Sequence, residues 1–176
     1  LASPEFPFKE VASVSITWNE ISTEELEKLF VGLTSVTGEL SIEACANITS
    51  IIIPSILLAG GVSVKGCPAA RLVEMNNLGQ VTGDISVSSV NLDTLGFDAL
   101  IKIGGRFHIS EAVVKVLEVN ALEECGSFRF GNNAQGLASF HLPKLKKTSR
   151  IHFGVHSEQL QQIFLPSLEH IDWLEV

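Results

Sequence analysis

The sequence predicts an all-β fold, a right-handed parallel β-solenoid of about six turns, leucine-rich-repeat-like, with a short N-terminal capping helix. Three observations carry that expectation. A phrase of the form Gly-x-Leu-x-Ile recurs at intervals of 21 to 23 residues. A second apolar phrase, ending in Pro, Asn or Asp, recurs between its copies. One stretch near the N-terminus follows helical rather than strand periodicity.

The first phrase reads Gly38-x-Leu40-x-Ile42, then Gly60-Gly61-Val62-x-Val64, Gly83-x-Ile85-x-Val87 and Gly105-x-Phe107-x-Ile109. It continues as Gly126-x-Phe128-x-Phe130, Ile151-x-Phe153 and Trp173-Leu174-x-Val176. Apolar residues alternate with polar ones, the period-two signature of a strand buried on one face. Gly104 and Gly105 are expected at the corner that starts a strand.

The second phrase reads Ile51-x-Ile53-Pro54, Val73-x-Met75-Asn76, Leu95-x-Phe97-Asp98, Leu117-x-Val119-Asn120, Phe140-x-Leu142-Pro143 and Ile163-x-Leu165-Pro166. Proline sets φ for a turn, and Asn and Asp cap turns with their side chains. A central strand of a hairpin sheet would not accept proline so regularly. Units this short cannot bury their apolar faces alone, so stacking on copies of themselves is the physical solution.

The helix is expected after the strand Val14-x-Ile16. Ser22-x-x-Glu25 is a capping-box pattern. Leu26, Leu29 and Phe30 follow at helical spacing, and Gly32 suits the C′ stop. This helix is expected to cover the open end of the first turn. Residues 14–176 then form the solenoid. Residues 1–13 read as an N-terminal extension, partly vector-derived in character. Val176 falls on a strand position, so the solenoid is expected to be truncated there, with another domain or subunit covering that end.

Composition removes several functional classes. The formal net charge of −8 opposes general nucleic-acid binding, which needs a basic excess. Apolar content of 45% opposes disorder. No apolar run is long enough to span a bilayer as a helix. Three cysteines without a C-x-x-C pair exclude a disulfide-dense mini-domain or a zinc ribbon. No nucleophile elbow, zincin motif, P-loop or dinucleotide fingerprint occurs, and no metal or cofactor is implied.

The order strand, short helix, Leu33-x-x-Val36-x-Gly38-x-Leu40-x-Ile42 resembles the start of a receptor L domain of the insulin-receptor and epidermal-growth-factor-receptor type. The repeat Leu-x-x-Ile-x-Leu-Pro-x-Leu followed by Gly-x-Leu-x-Ile resembles fungal GPI-anchored cell-wall glycoproteins built on the same module. The resemblance covers residues 14–176, without the cysteines that the animal receptors carry near the module ends. It implies a secreted or surface-displayed, non-catalytic recognition or adhesion module.

If Leu40 and Ile42 point inward, their neighbours point outward. One outer column then reads Ser41, Ser63, Ser86, His108, Arg129, His152. The column beside it reads Glu39, Gly61, Asp84, Arg106, Ser127, Arg150. Arg106, His108, Arg129, Arg150 and His152 are therefore the candidate binding residues, for a protein or glycan partner with anionic groups. A solvated face whose charges merely cluster is the plainer reading. A polysaccharide-acting β-helix enzyme is the competing class, with Glu39, Glu43 and Asp84 as its only nearby acids. A structural cell-wall glycoprotein is a further alternative. Cys45 and Cys67 fall at matched positions of adjacent turns, about 4.8 Å apart. Either a disulfide or two buried thiols satisfies that spacing. Asn47-Ile48-Thr49 is an N-glycosylation sequon at a corner.

Overall fold

The structure is a computed structural model that describes residues 8–17, 20–131, 136–154 and 159–175. It is a parallel β-solenoid of about seven turns. The first turn holds β1 (Glu10–Val11), β2 (Val14–Ile16) and α1 (Thr23–Leu29). The second holds β3 (Ser35–Glu43) and β4 (Ser50–Ile52), and the third β5 (Leu58–Lys65) and β6 (Leu72–Glu74). The fourth holds β7 (Gln80–Val81), β8 (Ile85–Ser88) and β9 (Asn91–Gly96). Next come β10 (Lys102–Ser110) with β11 (Val113–Glu118), and β12 (Glu124–Phe130) with β13 (Ser139–His141). β14 (Lys147–Phe153), β15 (Gln162–Phe164) and β16 (Trp173–Glu175) complete the described chain.

One long parallel sheet runs β1-β3-β5-β7-β10-β12-β14-β16, with β2 and β8 filling its second half. A four-stranded sheet, β11-β9-β6-β4, and a pair, β13-β15, form the opposite side. The core lies between them. Leu40, Val62, Ile85, Phe107, Phe128 and Ile151 stack as one buried ladder, and Ile42, Val64, Val87, Ile109, Phe130 and Phe153 as the next. The later turns are filled by rings. Phe107 and Phe128 lie 5.9 Å apart, Phe128 and Phe140 5.3 Å, and Phe130 stacks on Phe153 at 4.7 Å.

The corner between the sheets explains the Pro, Asn and Asp residues. Leu78, Leu100, Leu122, Leu145 and Leu168 each donate their amide to the carbonyl three residues earlier, closing a tight turn. Asn76, Asp98, Asn120, Pro143 and Pro166 occupy the second position of these turns, where proline's fixed φ fits and its missing N–H is not needed. Beyond each turn a continuous backbone ladder crosses the solenoid. It runs from Thr34 O through residues 57, 79, 101, 123 and 146 to Glu169 N, with N···O distances of 2.8–2.9 Å.

The helix forms as its pattern requires. Ser22 Oγ accepts from Glu25 N at 3.3 Å, and Glu25 Oε2 accepts from Ser22 N at 2.9 Å. Leu26 and Phe30 turn into the core beside β4, the last strand of its sheet, so the helix closes that sheet's open edge. Thr23 Oγ1 also accepts from Thr49 N at 3.0 Å. The helix ends one residue earlier than expected. Phe30 is the C-cap, and Gly32, with φ +83°, follows one position beyond C′.

Three further expectations are corrected. The helix-bearing N-terminal segment is itself a turn, which raises the number from about six to about seven. Within the stretch read as an extension, Glu10 and Val11 pair with Ser35 and Val36 of the long sheet. Gly104 and Gly105 are not a corner: they lie inside β10, at a bulge between Ile103 and Arg106 where two residues face one on β12. Residues 1–7 and Val176 lie outside the described residues.

Candidate functional site

The strand registers place the outer columns as the alternation predicts. Ser41, Ser63, Ser86, His108, Arg129 and His152 are successive partners along the long sheet. Arg106 pairs with Ser127, and Ser127 with Arg150. Their neighbours along the chain are core rungs, so the pleat forces these side chains to the surface.

Both columns continue one rung beyond His152 and Arg150. Glu175 follows His152, and Trp173 follows Arg150. Together these residues form one depression of about 320 Å³, lined by Arg106, Ser127, Arg129, Arg150, His152 and Glu175. His108 stands beside it, one rung before Arg129.

The charges within it are unequally satisfied. Arg150 Nη2 bonds Glu175 Oε2 at 3.1 Å, and His152 Nε2 stands 3.7 Å from the same oxygen. The Arg150 guanidinium also lies 5.7 Å from the centre of the Trp173 ring, in cation–π range. Among the described residues no carboxylate reaches ion-pair distance of Arg106 or Arg129. Asp84, the nearest acid by register, has Oδ1 engaged by the backbone amide of Arg106 at 2.7 Å.

Burial, then the positive charges of Arg129 and Arg106, hold the His108 pKa below its ordinary 6.5, and Asp84 opposes them weakly. The imidazole is thus neutral at pH 7. A depressed folded-state pKa favours the native state above about 6.5, and that contribution is lost as pH falls through the unfolded and then the folded value. NMR titration is expected to place His108 below 6.5, and Arg129→Gln to raise it. A value above 6.5 in the unmodified protein would contradict this electrostatic picture.

Comparison with protein-family models, with curated proteins and with solved structures finds no match. The functional reading therefore rests on this chain's own residues.

The acids of the competing enzymatic reading do not converge with the arginines. Glu39 and Asp84 stand two rungs apart with Gly61 between them, and Glu43 accepts from Ser41 Oγ at 3.1 Å and pairs in register with Lys65. Among the described residues no group of three His, Cys, Asp or Glu side chains could hold a metal ion.

Cys45 and Cys67 are buried free thiols in the structure, the second of the two arrangements their spacing allows. They stack in the small-residue ladder with Val90 and Ala112, all buried, while its members Asn133 and His156 lie outside the described residues. Each sulfur turns to a carbonyl of its own strand end, Cys45 to Glu43 O at 3.3 Å and Cys67 to Lys65 O at 3.6 Å. Burial pushes the Cys67 thiol up to about 11 and Cys125 up to about 12, which keeps both protonated and unreactive. Asn47 is exposed on the loop between β3 and β4, and Thr49 of its sequon is tied to Thr23.

Proposed function

We propose that this solenoid is an extracellular recognition or adhesion module that binds a protein or glycan, without catalysis, through the outer face of its long sheet. The observation that carries the reading is one depression where Arg106, Arg129 and Arg150 stand on three successive rungs beside His152. Arginine presents a planar fork of donors that matches carboxylate, sulfate and phosphate groups. Among the described residues two of these three arginines, Arg106 and Arg129, meet no carboxylate, and both are exposed. The surrounding chain is acidic, with a net charge of −8, which sets this patch apart as a local site rather than part of a general basic surface. The surface-displayed role is proposed from the repeat phrases of residues 14–176 alone, through their resemblance to receptor L domains and fungal cell-wall glycoproteins.

Binding to immobilised polygalacturonate, dextran sulfate and poly-glutamate tests the reading. The unmodified protein is expected to bind at least one of them, and to bind it less tightly as salt rises, because the contacts are exposed and screened. The triple variant Arg106→Glu, Arg129→Glu, Arg150→Glu should lose that binding about 100-fold or more, by the sum of several charge-assisted contacts. Its far-ultraviolet circular dichroism should be unchanged, since the three side chains point away from the core. Undiminished binding by a folded triple variant would sink the assignment.

A further inference from the structure

The depression already contains a carboxylate, and it belongs to the chain itself. Glu175 Oε2 sits on Arg150 and beside His152, at the C-terminal rung of the site. The Glu175 side chain is 47% exposed, so this pair is weakly held and open to exchange. One and two rungs from Arg150, Arg129 and Arg106 offer the same chemistry and, among the described residues, meet no carboxylate at ion-pair distance.

The geometry points to a linear acidic glycan, bearing a carboxylate on successive sugars, that lies along the solenoid axis and displaces Glu175. One carboxylate engages Arg106 and Arg129; a second takes the place of Glu175 on Arg150 and His152. This inference rests on the recognition reading and adds the ligand class and a built-in competitor.

Three features favour a sugar chain over an acidic peptide. The rungs repeat at about 4.8 Å, and Arg106, Arg129 and Arg150 stand on three successive rungs, alternating between two neighbouring columns, so positive charge recurs at every rung, which suits a polymer with regularly spaced charge. Ser127 lies between Arg106 and Arg150 in their column, and Ser86 precedes His108 in the other, hydroxyls that offer hydrogen bonds beside the cationic groups. Protein partners bind through apolar or aromatic anchors seated in packed pockets, whereas the one apolar residue lining this depression, Phe128, has its side chain fully buried in the core. Trp173, 59% exposed, supplies instead a flat aromatic surface at the edge of the row, suited to the apolar face of a sugar ring.

Calorimetric titration of the full chain with a hexamer of galacturonate, the same hexamer fully methyl-esterified, and hexaglutamate separates the outcomes. The acidic hexamer is expected to bind at least tenfold tighter than either of the others. Glu175→Gln should bind it about threefold tighter than the unmodified protein, the factor expected when a weak exposed ion pair no longer competes. Glu175→Ala should do the same, which guards against an effect peculiar to glutamine. Trp173→Ala should weaken the glycan. Tighter binding of hexaglutamate than of galacturonate overturns the glycan assignment while leaving the recognition reading standing. Unchanged or weaker affinity in both Glu175 variants overturns the competitor role. Absence of binding to every anion, in the unmodified protein and in Glu175→Gln alike, removes the recognition reading beneath it.

Discussion

Gly60→Ala is expected to destabilise the protein by about 3 kcal/mol or more, while Gly61→Ala, one residue along, is expected to stay within about 0.5 kcal/mol. Both glycines lie in β5, and their difference is one of direction. A Cβ at Gly60 would stand against Thr37 O and 2.5 Å from Gly38 O, both backbone atoms of the preceding turn. Backbone carbonyls held in a parallel ladder cannot rotate aside, so the two turns must separate locally or the strand must tilt. The same conflict recurs up the stack. A Cβ at Gly83 would meet Gly60 O at 2.6 Å, and those at Gly104 and Gly126 would meet carbonyls of the turns before them. A Cβ at Gly61 meets nothing nearer than Asp84 O, at 3.4 Å. Thermal melts followed by circular dichroism should show Gly60→Ala lowered by roughly 10 °C, given the 2–4 °C per kcal/mol usual for a chain this size. A melt of Gly60→Ala within a degree or two of the unmodified protein would show that the turns are not closely packed at this column.

That glycine stack also marks where the sequence stops being legible. The repeat could be read because its two signals are local. Alternation fixes which residues face the core, and Pro, Asn and Asp fix where the chain turns. Both outer columns follow from that alternation, and the pairings of His108 with Arg129 and of Arg129 with His152 are as expected. The unequal spacing of the phrase had a cause that no local pattern states. β3 and β10 each carry two residues where their partners β5 and β12 carry one, Thr37-Gly38 against Gly60 and Gly104-Gly105 against Gly126. The glycines are there because turns approach closely at a bulge, a property of neighbouring turns rather than of one segment. Gly104-Gly105 could therefore be mistaken for a corner.

The site shows the same division. Arg106, His108, Arg129, Arg150 and His152 face outward because their neighbours face inward, which the sequence expresses directly. That Arg150 and His152 are held by Glu175, and Arg106 and Arg129 are not, depends on how far side chains reach across rungs. The signal that could have found Glu175 was the repeat itself, since Trp173 and Glu175 occupy the next positions of the two columns. The cysteines illustrate the converse. Matched positions bring Cys45 and Cys67 together, but spacing alone does not say whether sulfur faces sulfur or carbonyl. In the structure each sulfur turns to a carbonyl, and the Cys67 thiol also interacts with that of Cys45.

Phe128→Ala is expected to cost about 3–5 kcal/mol, the range for emptying a buried ring position that cannot collapse. Phe128 is fully buried and sits between Phe107, at 5.9 Å, and Phe140, at 5.3 Å, so its loss opens a cavity walled by rings on both sides. The equivalent rung two turns before Phe107 is Val62, also buried, where Val62→Ala removes only two methyl groups and should cost about 2 kcal/mol. The contrast follows from how the core is filled. The first turns share their interior with Leu26 and Phe30 from the helix side, whereas the described residues of the later turns form no helix and fill the cross-section with phenylalanine. Stacked repeats interact mainly with their neighbours, so the damage should also be local. Hydrogen exchange in Phe128→Ala should accelerate first in β10, β12 and β14, while the amides of β3, β4 and α1 retain protection until global unfolding. Uniform acceleration from α1 to β16 would instead show a single cooperative unit, in which the aromatic block and the helix-capped block stand or fall together.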